Sequence, residues 1–195
     1  IGTKAIVDDV NRIFRGAKIQ RFDTDNLKSE SIENHLEKIS SGNVDIIIGT
    51  QLLAKGFDLP KLSTLGIIQA DTSLYLPDFS SEERTFQLIS QVLGRINRGH
   101  VQGNAYIQTY NPNDKIFKYA IDNDYSSFYK KELINREKYK LPPYYQLLKL
   151  SVLRKSPANS EKTALDLKKT LRESISGIII EGPAPSFHEK HGNYY

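Results

Sequence analysis

Hydrophobic and polar positions change period several times along this chain, and each change marks an element. Between Lys4 and Phe14, Ile6, Val10 and Ile13 share one side with Val7 and Phe14, which predicts an amphipathic helix. Lys18 to Phe22 reads as a short strand, and Asp23-Thr24-Asp25-Asn26 after it favours a turn. From Ser29 to Ile39 a helical stripe of Ile32, Leu36 and Ile39 runs up to Gly42 as its stop. Val44-Asp45-Ile46-Ile47-Ile48 is nearly all apolar, as expected of a strand covered on both faces, and Leu65-Gly66-Ile67-Ile68 is a second such strand. Phe86, Ile89, Leu93 and Ile96 return to helical spacing. That helix is expected to be capped by Ser80 or Ser81, with Glu83 in position for a capping box. Ala105 to Tyr110 is the last strand of this series. Alternating strands and helices imply an α/β layer structure around a parallel sheet.

The turn cluster Asn111-Pro112-Asn113-Asp114 is the first boundary candidate. Lys115 to Lys140 is predicted helical in two pieces, broken near Asp122-Asn123-Asp124. The second piece carries Tyr125, Phe128, Tyr129, Leu133 and Arg136; aromatics at this spacing are expected in a core more often than stacked on bases. Pro142-Pro143 ends the helix and predicts an extended hinge. Beyond it, Leu148, Leu150 and Val152 alternate with polar neighbours as in a half-buried strand. Ala164, Leu167, Leu171 and Ile175 mark a helix, and Ile178-Ile179-Ile180 a further strand. The expected division is 1–113, an α/β lobe; 114–143, a helical connector; and 144–195, the start of a small α/β domain.

Composition narrows the class. The 195 residues are enough for one full domain and part of another. No apolar run reaches membrane-spanning length, and there is no signal peptide. Cysteine is absent, which excludes disulfides and cysteine zinc sites within this stretch. The net charge of +4 permits nucleic-acid binding without requiring it. The chain does not begin with Met, and Ile1-Gly2-Thr3 reads as a strand in mid-course, so a piece of a longer protein is expected. His188 and His191 lie three apart beside Glu189, but with no further ligand nearby a surface pair is the expectation, and no metal site is assigned. His35 and His100 complete no nucleophile–base arrangement.

The chemistry concentrates between Gly49 and Arg98. Gly49-Thr50-Gln51 opens a glycine-punctuated loop, continuing through Lys55, Gly56 and Asp58, directly after an apolar strand; such loops bring backbone N–H groups close to phosphates. Gln87, Gln91, Arg95 and Arg98 fall on one helix side, opposite the apolar stripe. Guanidinium forks one turn apart suit a triphosphate, because they bind phosphate oxygens bidentately and stay charged. On charge pattern alone a solvated helix face is the better reading; the Gly49-Thr50-Gln51 loop at this distance reverses that.

Gly49-Thr50-Gln51 with Lys55-Gly56 and Asp58 resembles motif V of superfamily 2 helicases, and Gln91-x-x-Gly94-Arg95-x-x-Arg98 resembles their motif VI. Asp71, Leu74, Pro77-Asp78-Phe79, Glu83-Arg84, Gln87-Leu88 and Gln91-Val92 narrow the resemblance to the primosomal protein N′ (PriA-type) replication-restart helicases. The Tyr125 to Pro143 series and the loop Gly182-Pro183-Ala184-Pro185 resemble that family too, so the likeness covers essentially the whole chain. Two positions depart from it: Asn97 stands where motif VI often has Gly, and Ser80 where Arg is frequent.

The resemblance implies a RecA-like second helicase lobe, one wall of an ATP cleft. It implies Arg98 as the arginine finger, Arg95 and Gln91 near the γ-phosphate and attacking water, and Asp58, Gly56 and Gly94 at the nucleotide. Gly49, Thr50 and Gln51 would meet a DNA phosphate, as would Lys55, for which a solvated surface lysine is an equal alternative; Arg21 and Asp23 follow the strand that carries motif IV-like contacts, with turn-making the expected role of Asp23. ATP and Mg²⁺ are the implied cofactors, bound mainly by a first lobe, with zinc in the family's cysteine-rich insertion. No Gly-x-x-x-x-Gly-Lys-[Ser/Thr] loop occurs here, so these residues alone are expected not to hydrolyse ATP. Implied partners are forked and single-stranded DNA, single-stranded-DNA-binding protein and primosome proteins, in a bacterial, nucleoid-associated cytoplasmic setting. Two alternatives stand beside the restart helicase: a non-catalytic nucleic-acid-binding scaffold lobe, and another superfamily 2 translocase such as a branch-migration helicase.

Overall fold

The computed structural model describes residues 2–22, 39, 43–50, 59, 61–96, 103–186 and 192–194. The chain divides into two compact units, Ile1–Asn135 and Arg136–Tyr195. Residues 114–135 thus group with the first unit.

In the first unit, α1 (Thr3–Ile13) is followed by β1 (Ile19–Phe22) and β2 (Ile46–Gly49). β1 and β2 pair in parallel, with Ile19 opposite Ile46 and Phe22 opposite Gly49. Phe22 and Ile48 are buried, and α1 lies against both strands. β3 (Thr64–Ile67) and β4 (Asn104–Ile107) form a second parallel pair, with Thr64 opposite Asn104 and Ile67 opposite Ile107. A parallel pair needs a long crossover. Between β3 and β4 this contains a 3-10 turn, Ala70–Ser73, and helix α2, Ser81–Ile96. The described strands therefore stand as two two-stranded parallel pairs rather than one ladder. With helices packed on both, the unit is an α/β RecA-like lobe. Of the helix expected over Ser29 to Ile39, only Ile39 is among the described residues, and it is helical.

The core of this unit joins α2 to α3 (Lys115–Ile121) and α4 (Tyr125–Lys138). Phe86 and Ile89 of α2 bury against Ile116, Phe117, Ala120 and Phe128. The break expected at Asp122-Asn123-Asp124 is present because both helices have their own caps. Asp114 Oδ1 accepts the Ile116 N–H at 3.0 Å, and Asp124 Oδ1 accepts the Ser127 N–H at 3.0 Å. Hydrogen bonds from Ser127, the side chain first, hold the Asp124 carboxyl below its ordinary value. Phe128 is core, as its spacing predicted; Tyr125 and Tyr129 of the same helix are exposed.

The start of α2 differs from the expected serine cap. Ser80 Oγ donates to Asp78 Oδ1 at 2.7 Å and Ser81 Oγ donates to Leu76 O at 2.9 Å. Asp78 Oδ1 also accepts the Ser80 N–H at 2.9 Å, and Arg84 Nη2 stands 3.3 Å from Asp78 Oδ2. Glu83 accepts from Gln87 Nε2 at 3.0 Å. The helix entrance is thus organised by the aspartate, whose carboxylate accepts two bonds that a hydroxyl would have to share.

In the second unit α5 (Pro157–Ser174) starts at Ser156, whose hydroxyl accepts the Asn159 N–H at 3.3 Å. Lys168 Nζ donates to Gly182 O. Neither strand expected here forms: Leu148 is 81% and Ile179 71% exposed, and no ladder partner engages either segment among the described residues. Alternation alone does not make a strand without a neighbouring chain to pair with. The Pro142-Pro143 segment is a tight turn, correcting the extended hinge. The Leu141 carbonyl accepts from Tyr144 N–H at 3.1 Å and Tyr145 N–H at 3.3 Å, which folds the chain back.

Candidate nucleotide and nucleic-acid wall

α2 has two distinct faces. Phe86, Ile89 and Ile96 are buried and Leu93 packs partly on the same core. Gln87, Gln91 and Gly94 are exposed, and Arg95 is half-buried. Gln91 and Arg95 are one turn apart, so one helix face presents an amide and a guanidinium together.

The apolar face is fixed in place by several contacts. The Phe86 and Phe128 rings stack with centroids 4.3 Å apart and planes 2° apart, and Tyr125 meets Phe86 at 6.1 Å. Glu82 pairs with Lys131 of α4. Thr85, buried among these side chains, satisfies its hydroxyl by donating to Ser81 O at 2.8 Å. At the far end, Ile96 rests against Gly103: a Cβ there would stand 3.0 Å from Ile96 Cγ1 and 3.2 Å from Ser63 O. Gly94 is different, since a Cβ at that position would meet nothing within 4 Å. Packing within the described chain therefore does not require glycine there, although glycine inside a helix costs about 1 kcal/mol relative to alanine.

The lead into α2 is anchored by Asp71, which is 2% exposed. Its carboxylate accepts bonds from Thr109 Oγ1 and from Tyr110 N–H at 2.9 Å. Burial pushes this carboxyl up, but the bonds from Thr109 and Tyr110 outweigh it and hold the group below its ordinary value. Ala70 N–H donates to Gln108 O at 2.9 Å beside it. In the sequence Asp71 stands out only as one residue of the family resemblance.

At the end of β2, Gly49 lies opposite Phe22 and Thr50 is exposed. The Thr50 N–H donates to Phe22 O at 3.3 Å, so the ladder uses this amide and the side-chain hydroxyl is what Thr50 offers outward. Gln51, Lys55, Gly56, Asp58 and Arg98 lie outside the described residues, as do Asp23, His35, His100, His188 and His191. Arg21 is half-buried on β1. Among the described residues no group of three or more His, Cys, Asp or Glu could hold a metal ion, and no helix is long and apolar enough to cross a membrane.

The profile of the helicase conserved C-terminal domain matches residues 3–100. The replication restart protein PriA of Bacillus subtilis is 34% identical over 187 residues, 95% of this chain and 23% of that protein. The proteins of the same name from Thermotoga maritima and Borreliella burgdorferi are each 35% identical across the whole of this chain, which covers 26% and 29% of them. The chain thus spans about a quarter of the length of these relatives. With an α/β lobe whose amide- and arginine-bearing helix packs on its own core, the chain belongs to the helicase conserved C-terminal domain family and is similar along its length to the PriA proteins.

Proposed function

We propose that this chain is the second wall of the ATP site in an ATP-dependent 3′→5′ DNA helicase that remodels stalled replication forks and loads the primosome. The observation that carries the reading is α2, whose apolar face is buried while Gln91 and Arg95 stay on the opposite side, one turn apart. Donors of these two kinds fit the oxygens of a triphosphate. Arg98 follows as the finger that stabilises charge in a loose phosphoryl-transfer transition state, an effect of about 10³–10⁵ in rate. Gly94 leaves room at the helix surface for close approach of nucleotide, which accounts for a glycine that packing does not demand. Asp58 and Gly56 complete the nucleotide side.

ATP with Mg²⁺ supplies the phosphoryl group and its charge neutralisation. Mg²⁺ is held mainly by a first lobe, and zinc belongs to a cysteine-rich segment outside this chain. Gly49, the Thr50 hydroxyl, Gln51 and Lys55 track DNA phosphate without reading sequence. Forked and single-stranded DNA are the substrates, and single-stranded-DNA-binding and primosome proteins the partners.

The test is DNA-stimulated ATPase of the full-length protein, wild type against Arg98→Ala. Loss of about 10³ in turnover with ATP still bound supports the assignment. Near-normal turnover in the variant would return Arg98 to a solvated face and favour a scaffold.

A further inference from the structure

The basic excess of this chain is unevenly spread. Residues 1–135 carry 16 Lys and Arg against 17 Asp and Glu, whereas residues 136–195 carry 11 against 6, nets of −1 and +5 that make up the chain's +4. The second unit begins with a segment in which cations and aromatic rings interleave: Arg136, Lys138, Lys140 and Lys149 with Tyr139, Tyr144 and Tyr145, against the single carboxylate Glu137. Tyr144 and Tyr145 are 46% and 48% exposed, and no ring contact engages them among the described residues. Lys138 Nζ lies 5.1 Å from the centre of the Tyr139 ring.

This segment is preformed. Lys140 N–H donates to Glu137 O at 3.2 Å and Leu141 N–H to Arg136 O at 2.8 Å, the two bonds of a Schellman helix end. Arg136 Nη1 donates to Pro142 O at 3.2 Å, and the Leu141 carbonyl gathers the Tyr144 and Tyr145 amides. Lys140 has φ +55°, the left-handed position that such a helix end reserves for glycine. A cation is therefore held where glycine would be unstrained, beside rings left in water. Rings with open faces between lysines suit a polyanion carrying flat bases, since stacking tolerates any sequence and lysines follow the phosphates.

We propose that the Arg136–Lys149 turn binds single-stranded nucleic acid, with Tyr144 and Tyr145 stacking on bases and Lys138, Lys140 and Lys149 meeting phosphates. This rests on the reading of the chain as part of a DNA helicase. The intact helicase is titrated over a salt series with a short fluorescent oligothymidylate and with an abasic strand of equal length. The variants are Tyr144→Ala/Tyr145→Ala, Lys140→Gly and Lys138→Gln/Lys149→Gln. The double tyrosine variant loses about tenfold or more in affinity for oligothymidylate and nothing for the abasic strand. Lys140→Gly keeps or raises the Tm, weakens binding to both strands and lowers the salt slope by about 0.7, the value for one phosphate contact on a single strand. The double lysine variant weakens both strands more.

Variants that match wild type on both strands, in a protein whose ATPase still responds to DNA, overturn this proposal alone and leave the turn to a protein partner. A wild-type protein that binds neither strand overturns the proposal together with the helicase reading.

Discussion

Asp71 and Thr109 stand 38 residues apart in sequence and are joined by a hydrogen bond from the threonine hydroxyl to the buried carboxylate. With the Tyr110 amide on its other oxygen, Asp71 ties the 3-10 turn leading towards α2 to the chain leaving β4. The link is local to the first unit and joins the segment before the helix bearing Gln91 and Arg95 to the end of β4.

The folded state holds the Asp71 carboxyl below its unfolded value of about 3.9. Its contribution is therefore complete above about pH 4 and is lost as pH falls through the lower, folded value. Asp71→Asn is expected to cost about 1.5–3 kcal/mol at neutral pH, the usual worth of hydrogen bonds to a charged group. Urea melts at neutral and acid pH check this: the variant should lose less stability on acidification than wild type, and parallel pH profiles would reject it.

Phe128 closes the core against Phe86 at 4.3 Å. Phe128→Ala is expected to lower unfolding free energy by about 3–5 kcal/mol, by lost burial and the cavity left behind. Tyr125→Ala, at an exposed ring of the same helix, should cost far less. Equal losses in denaturant melts would show that Phe128 is not the anchor.

α3 is only seven residues long and owes its start to Asp114. Replacing that cap by alanine should cost about 1 kcal/mol. Hydrogen exchange provides the readout, with faster exchange expected at the Ile116 amide and its neighbours. Unchanged protection there would mean that packing on α2 suffices.

Arg95 shares the exposed side of α2 with Gln91. In the full-length protein, Arg95→Ala is expected to lower DNA-stimulated ATPase by about 10–100-fold, the equivalent of one or two charge-assisted bonds to phosphate. The Tm should hold, because the apolar face is untouched. A large Tm drop with proportionate loss of activity would make the residue structural.

Local signals in the sequence were faithful where the element depends on its own residues. The stripe Phe86, Ile89, Leu93, Ile96 placed both faces of α2 correctly, because sixteen helical residues repeat one period. The break between α3 and α4 was legible from the aspartates that cap them. Features set by distant partners were not. The Asp71–Thr109 bond and the Glu82–Lys131 pair have no local signature. The Leu148 to Val152 and Ile178 to Ile180 segments show strand-like character that only a neighbouring chain would realise. Ser80 and Ser81 carry the right chemistry for a cap, but both hydroxyls are spent as donors, Ser80 Oγ to Asp78 Oδ1 and Ser81 Oγ to Leu76 O.

Ile96, the last residue of α2, rests on a position that owns no side chain. Ile96 is buried, and Ser63 O on the other side is committed to the Asn104 amide at 2.9 Å. A methyl group at Gly103 would therefore have to displace Ile96, and with it the end of the helix, one residue from Arg95 and two from Arg98. On the proposed reading of α2 as one wall of an ATP site, variation at this one position would act as a rheostat: it would change turnover while leaving the side chains proposed to meet phosphate chemically the same.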